Sequence, residues 1–402
     1  MNPVVYAVAT MDTKGDELAF VARCLRNAGV LVKTVDVGTR SAPTVSPDVS
    51  RDRVLGAETL PPGNDRGAAV TAMGDGLTSW LQNECLAHRV AGVVGIGGSG
   101  GTALVTAAMR ALPIGLPKLM VSTMASGDVA PYVDCSDITM MYSVVDVAGL
   151  NVVSEKILSN AAHAMAGMVS HSLAAPENRP ALGMTMFGVT TPCVDSVRKT
   201  LQAKGYDCLV FHATGSGGRA MEQLVDSGLI CGVLDITMTE VADEVVGGVL
   251  PAGPDRFEKL LAKGVPLVLS VGAVDMVNFG GIETVPEQFR NRTLHVHNAQ
   301  VTLMRTNAEE NRTIARWIAD KLNQSTAPLT LLIPEGGVSM LDAPGEPFDD
   351  PVANAALFDE LEQQFQQTND RQMIRLPHHI NDPDFAAALV QQFQVLCPAV
   401  SS

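Results

Sequence analysis

The sequence predicts a two-domain α/β protein whose doubly wound, mainly parallel sheets face a cleft. Three observations predict it. The 402 residues exceed twice the ~150 residues of a common domain. Short apolar runs alternate with segments whose apolar residues recur at helical spacing, the pattern of strand–helix–strand units. The order strand, loop, helix, glycine, strand occurs twice, around Gly29 and again around Gly205. Sheets of this kind receive ligands at the carboxyl ends of their strands.

Val4-Val5-Tyr6-Ala7-Val8-Ala9 reads as a buried strand, and residues 10–15 as a loop. Residues 17–27 carry Leu18, Val21, Ala22 and Leu25 on one helical face, and Gly29 ends that helix before a strand over 30–37. Residues 38–65 are rich in Ser, Pro, Gly and Asp and read as a surface excursion. A helix is expected over 67–88, a buried strand over 90–96, a glycine turn over 97–101, a helix over 102–111 and a strand over 118–122. The small residues of 151–175 suit one long helix, and Pro176, Asn178 and Pro180 mark a linker within 172–183. The second half repeats the scheme: strands over 181–189, 207–212 and 229–236, helices over 192–204 and 219–227, and a glycine turn over 215–218. The expected domains are 1–178 and 179–402, with the tail from 294 onward crossing back to complete a sheet.

Composition narrows the function. With 28 basic and 43 acidic residues the net charge is -15, which argues against a nucleic-acid binder driven by phosphate attraction. It does not bar a local anion site, because backbone N–H groups at helix starts bind phosphate without net positive charge. No apolar run approaches the ~18 residues of a membrane span, and no secretory signal is visible. Seven cysteines without a C-x-x-C pair suit reduced thiols, so a cytoplasmic protein is expected.

Two glycine turns carry the chemistry. Gly97, Gly98, Ser99, Gly100, Gly101 and Thr102 follow a strand and open a helix, and Gly95, Gly97 and Gly100 fit G-x-G-x-x-G. Small residues there let backbone amides approach a phosphate. The acid that a dinucleotide site wants about 20 residues later is absent, so phosphate cradling is favoured over NAD. Gly215, Ser216, Gly217, Gly218, Arg219 and Ala220 form the second turn, and Asp235 ends the following strand, which keeps NAD open there. The two turns are read as occupying matching places in the two halves. Around them, Asp12 is expected to hold a metal or ribose and Lys14 to meet a phosphate. Thr123, Ser126, Gly127 and Asp128 form a further polar loop. Glu240, near a helix start and facing the cleft, is a candidate to bind a substrate hydroxyl or act as a general base, Asp275 follows another buried strand, and His212 directly precedes the second turn. No P-loop, zinc spacing, Ser/His/Asp arrangement or G-x-S-x-G elbow occurs in the sequence.

Longer strings around these residues carry a resemblance. They are Ala9-Thr10-Met11-Asp12-Thr13-Lys14-Gly15, the turn over 97–102, Ser126-Gly127-Asp128-Val129-Ala130-Pro131-Tyr132, the stretch 211–222, Ala252-Gly253-Pro254-Asp255-Arg256, the stretch 271–279 and the stretch 297–306. Together they resemble, over nearly the whole chain, the family that includes the N-terminal domain of the tomato mosaic virus resistance protein. The resemblance implies two Rossmann-like subdomains, an ATP site, homodimers or higher homo-oligomers, and a TIM-barrel-like partner absent from these residues. The leading expectation is a cytoplasmic enzyme or enzyme subunit using ATP with Mg²⁺ on a small metabolite, in kinase or ligase fashion. The glycine turns would hold phosphates, Asp12 or Asp128 would stand near the metal, and Glu240 or Asp275 would orient the acceptor. The alternatives are a non-catalytic, nucleotide-responsive module that docks the TIM-barrel partner, and an NAD-dependent oxidoreductase.

Overall fold

A computed structural model describes residues 2–61, 65–171 and 179–397. The chain divides into two compact units, Met1–Ala175 and Pro176–Ser402. The first seven residues of the expected linker lie outside the described residues.

The N-terminal unit runs β1 (Val4–Ala9), α1 (Met11–Asn27), β2 (Val32–Asp36), α2 (Arg51–Leu55), α3 (Arg66–Leu86), β3 (Val90–Gly97), α4 (Ser99–Arg110), β4 (Lys118–Ser122), α5 (Ala130–Val133), β5 (Thr139–Tyr142) and α6 (Val152–Ser170). Its five strands are all parallel, in the order β2-β1-β3-β4-β5. Alternate residues of each strand feed opposite cores, as the pleat dictates. Tyr6, Val8, Val35 and Val93 pack with Met73, Leu77 and Leu81 of α3 and with Val105 and Ala108 of α4. Val5, Ala7, Val94 and Ile96 pack with Leu18, Val21 and Leu25 of α1 and with Leu158 and Met165 of α6. Helices on both faces of a parallel sheet make this a Rossmann-like, doubly wound unit.

The C-terminal unit runs β6 (Ala181–Met186), α7 (Thr191–Ala203), β7 (Asp207–His212), α8 (Ser216–Asp226), β8 (Gly232–Thr237), α9 (Thr239–Val246), α10 (Glu258–Lys263), β9 (Leu267–Gly272), β10 (Met276–Phe279), β11 (Leu294–Asn298), β12 (Val301–Arg305), α11 (Ala308–Leu322), β13 (Leu329–Pro334), α12 (Pro351–Gln364), β14 (Arg371–Leu376) and α13 (Pro383–Leu396). Its main sheet is parallel, in the order β14-β13-β9-β8-β6-β7. Here too both faces are covered, by α7 and α13 on one side and by α8, α11 and α12 on the other. The tail supplies β13 and β14 to this sheet, and β10, β12 and β11 make a small antiparallel sheet.

Numbered from its own first strand, each main sheet begins 2-1-3-4, so each has a switch point between its first and third strands. Gly29 and Gly205 occupy the same place in the two units, both at positive φ (+80° and +92°) after the first helix. The glycine turns do not. The first follows β3, at a switch point. The second follows β7, the counterpart of β2, at the edge of its sheet. The expectation of matching places is therefore corrected: both turns are strand-to-helix, but they follow different strands of the repeat. Among the described residues no helix is long and apolar enough to cross a membrane.

Candidate functional site

The N-terminal switch point holds a cavity of about 290 Å³. Three segments that leave adjacent strand ends line it: Thr10, Asp12, Thr13 and Lys14 after β1, Thr39 and Arg40 after β2, and Gly98, Ser99, Gly100 and Gly101 after β3. Val70 of α3 and Leu104 of α4 add an apolar wall. Helix α4 starts at Ser99, three residues earlier than the spacing suggested, so Ser99, Gly100 and Gly101 form its first turn. First-turn amides have no carbonyl partner inside their own helix, and the helix dipole adds partial positive charge there. A Cβ on Gly97 would lie 2.9 Å from the Gly101 carbonyl carbon, so glycine is needed for the tight turn itself. At Gly98 the nearest atom to such a Cβ is Thr123 Oγ1 at 3.8 Å, and at Gly101 it is the Ile96 carbonyl oxygen at 3.8 Å.

Residues 11–15, read as a loop, are helical, and α1 is kinked at Lys14 (φ -129°, ψ 21°). The kink puts Asp12 and Lys14 on the rim. Asp12 Oδ2 accepts the amides of Arg40 (3.2 Å) and Ser41 (3.4 Å). The Lys14 ammonium donates to the Val147 carbonyl. Behind the rim, buried Asp36 accepts Met11 N–H (3.1 Å), Gly38 N–H (2.8 Å) and Arg51 Nε (3.0 Å), which ties the β1 and β2 loops together. Thr39 and Arg40 escaped the sequence reading because 38–65 looked like surface chain. Their signal was position, directly beyond the strand that pairs with β1.

Thr102 sits behind the turn. It is fully buried, with its hydroxyl 2.6 Å from Ser122 Oγ. Thr123 begins a short 3₁₀ turn after β4 that ends at Ser126, and Ser126, Gly127 and Asp128 are exposed, with Asp128 Oδ1 accepting Ala130 N–H at 2.9 Å.

The second glycine turn is built differently. Beneath it lies Arg256, fully buried, with Nε on Glu240 Oε1 (2.7 Å), Nη1 on Glu222 Oε1 (2.7 Å) and Nη2 on Asp235 Oδ2 (2.5 Å). Its guanidinium also stacks 4.4 Å from the centre of the Phe257 ring. Glu240 Oε2 accepts Gly215 N–H (2.7 Å), and Asp235 Oδ1 accepts the Thr185 hydroxyl (2.7 Å). Burial raises the Glu240 carboxyl against the pull of Arg256, and the three acids hold Arg256 well above its ordinary value. A Cβ on Gly218 would meet Glu240 Oε1 at 2.0 Å, one on Gly217 the His212 carbonyl oxygen at 1.8 Å, and one on Gly215 the Pro251 carbonyl oxygen at 2.3 Å. Ser216 and His212 are exposed and Arg219 is half-buried. Glu240, expected to face a cleft, is fully enclosed by this ionic cluster, and so is Asp235.

Asp275 is also fully buried. Its Oδ2 accepts the Ser339 hydroxyl (2.7 Å), and its Oδ1 has no hydrogen-bond partner among the described residues. Burial, with Asp342 close by, pushes its carboxyl up to about 7. Buried Asp243 accepts Asn278 N–H (2.8 Å) and Leu250 N–H (2.8 Å), and burial raises it to about 7 as well. The unit's own switch point is bridged by the Thr190 and Thr237 hydroxyls at 2.8 Å. Asp275 and Glu240 thus stand in separate buried networks of the C-terminal unit, while Asp12, Lys14 and Gly98–Gly101 meet in one cavity of the N-terminal unit.

Residues 3–174 match the profile described as "Uncharacterised protein family (UPF0261) N-terminal domain", and residues 179–397 match its C-terminal domain. A UPF0261 protein of Rhizobium meliloti is 55% identical over 395 residues, covering 97% of this chain and 98% of the relative. The tomato (Solanum lycopersicum) ToMV resistance protein Tm-1 is 46% identical over 424 residues, covering 99% of this chain but 56% of the tomato protein. Among solved structures, the UDP-GlcNAc 2-epimerase of Methanocaldococcus jannaschii aligns over 99% of this chain and 93% of its own, at 8% identity and a TM-score of only 0.21.

Proposed function

The chain belongs to the UPF0261 family, and from that premise we propose that its N-terminal cavity binds ATP with Mg²⁺ for use on a small metabolite, in kinase or ligase fashion. One observation supports this above the others: the glycine turn, Asp12, Lys14 and Arg40 converge on one cavity at a switch point of a parallel sheet. The amides of Ser99, Gly100 and Gly101 would donate to phosphate oxygens, with Lys14 and Arg40 supplying positive charge. Asp12 suits Mg²⁺, which is commonly held by one or two carboxylates together with substrate phosphates. The ion would screen the phosphate charges as an acceptor approaches. At about 290 Å³ the cavity sits at the low end of the ~300–1,000 Å³ typical of ligand pockets, a size for the polyphosphate arm, with Val70 and Leu104 as the apolar side. Asp128, the other carboxylate expected near the metal, is exposed on the loop after β4 and does not line the cavity, so the metal role falls to Asp12. The protein is read as a cytoplasmic homodimer.

Isothermal titration with ATP–Mg²⁺ tests this reading. Gly100→Asp sets a carboxylate among the phosphates and is expected to weaken binding by at least about tenfold, ~1.4 kcal/mol. Unchanged affinity removes the turn from the site. Thermal shifts with NAD in place of ATP separate the oxidoreductase alternative. A second reading keeps the nucleotide but not its consumption. The tomato relative is much longer than this chain, which is compatible with a nucleotide-responsive module that docks a TIM-barrel-like partner. ATP turnover in the presence of a metabolite pool would exclude that module.

A further inference from the structure

Lys14 joins the cavity to a distant piece of the same unit. Its side chain lines the cavity, yet its ammonium is held by the carbonyl of Val147, in the segment between β5 and α6. It is also the one residue of α1 with non-helical backbone angles, so the first turn of α1 is jointed to the rest at Lys14. Among the described residues the segment has one other side-chain hydrogen bond to α1, from Gly149 N–H to Glu17 Oε1 (2.6 Å), and the Val147 side chain is buried in the core that Leu18 and Val21 of α1 share. Within the segment Val144 takes a positive φ of +63°, a region that a β-branched residue occupies only when its surroundings enforce it. Large apolar side chains are exposed around it: Tyr142 (42%), Val144 (57%), Leu150 (39%) and Val152 (70%).

An ammonium bonded to a neutral carbonyl gains by moving to an anionic phosphate oxygen within reach, because the attraction between two opposite charges is added to the hydrogen bond. Resting on the nucleotide reading of the cavity, we propose that Lys14 is an occupancy switch. A phosphate group in the cavity draws its ammonium off the Val147 carbonyl, and the 143–151 segment with its exposed apolar strip is released from α1. How firmly that strip is held against α1 then depends on whether the cavity is filled.

Hydrogen–deuterium exchange on the full chain, with and without ATP–Mg²⁺, tests the switch, with calorimetry run on the same samples. ATP is expected to speed exchange over 143–151 by about 2- to 10-fold, the range that losing one net hydrogen bond gives. Ligand-free Lys14→Met is expected to show the faster exchange already, and exchange over 143–151 as slow as in the unsubstituted protein overturns the switch. Calorimetric binding with unchanged or slower exchange over 143–151 in the unsubstituted protein overturns the switch and leaves the nucleotide reading standing. Absence of binding by ATP–Mg²⁺ overturns both.

Discussion

The two glycine turns look alike in sequence and are opposite in use. In the turn over 215–218, the space a side chain would take is already filled by Glu240, by the His212 carbonyl and by the Pro251 carbonyl. In the turn over 97–101, Gly98 and Gly101 have their nearest neighbours at 3.8 Å and line a cavity. One turn lets protein close on protein around a buried ion cluster. The other leaves backbone amides open to a ligand. Glycine spacing between a strand and a helix reports close approach to the backbone; it does not report what makes the approach.

The sharpest way to break this comparison is one methyl group in each turn. Gly218→Ala drives a Cβ into Glu240 and Arg256. Disrupting a buried ion pair costs roughly 3–5 kcal/mol, so the C-terminal unit is expected to lose that much in chemical denaturation. A loss below about 1 kcal/mol would mean that the cluster yields easily and that the turn is not a packing device.

A pH series sharpens the contrast between the units. Asp243 and Asp275 have folded values of about 7 against 3.8 for the free side chain. A raised value contributes stability that is present below the unfolded value and is lost as pH rises through the folded one. The C-terminal unit is therefore expected to melt progressively lower as pH rises from about 4 to about 7. Asp243→Asn should flatten the slope. The N-terminal unit has the reverse case in Glu84, which its hydrogen bonds with Arg89 lower from 4.5 to about 2. Its contribution is present above 4.5 and lost as pH falls through about 2. Scanning calorimetry from acid to neutral pH should show the two transitions moving in these different windows. Identical pH slopes would contradict the assignment.

The smallest expected effect is the counterpart of the first. Gly98→Ala meets only Thr123 Oγ1, at ordinary contact distance, so its stability change should stay below about 1 kcal/mol. Its effect is expected on ATP affinity instead. A large loss of stability with intact binding would make the first turn a packing device like the second.

Much of the fold was legible because local signals agreed. The run Val90–Gly97 is long, apolar and rich in Val, and it ends in glycine; the structure gives a strand over those residues and a helix directly after. Gly29 and Gly205 marked equivalent helix ends because each needs positive φ. The doubly wound sheets follow from such units. The site was less legible. Thr39 and Arg40 lie in a segment whose composition says only "surface", and they reach the cavity because β2 pairs with β1. Glu240 and Asp235 looked like ligand groups, since carboxylates at strand ends usually face solvent or substrate. What buries them is Arg256, and no local pattern says that an arginine after Gly253-Pro254-Asp255 will fold beneath a turn some forty residues earlier. Matching glycine motifs suggested matching places, but strand order is a non-local property that the spacing does not carry.

The two raised carboxyls, Asp243 and Asp275, have a calorimetric consequence. Near pH 6 the folded chain keeps protons on both groups that the unfolded chain gives up. Melting is then a proton-releasing reaction. In a weakly buffered sample the solution turns slightly more acid as the protein unfolds, and the apparent heat of unfolding shifts with the ionisation heat of whichever buffer takes up those protons.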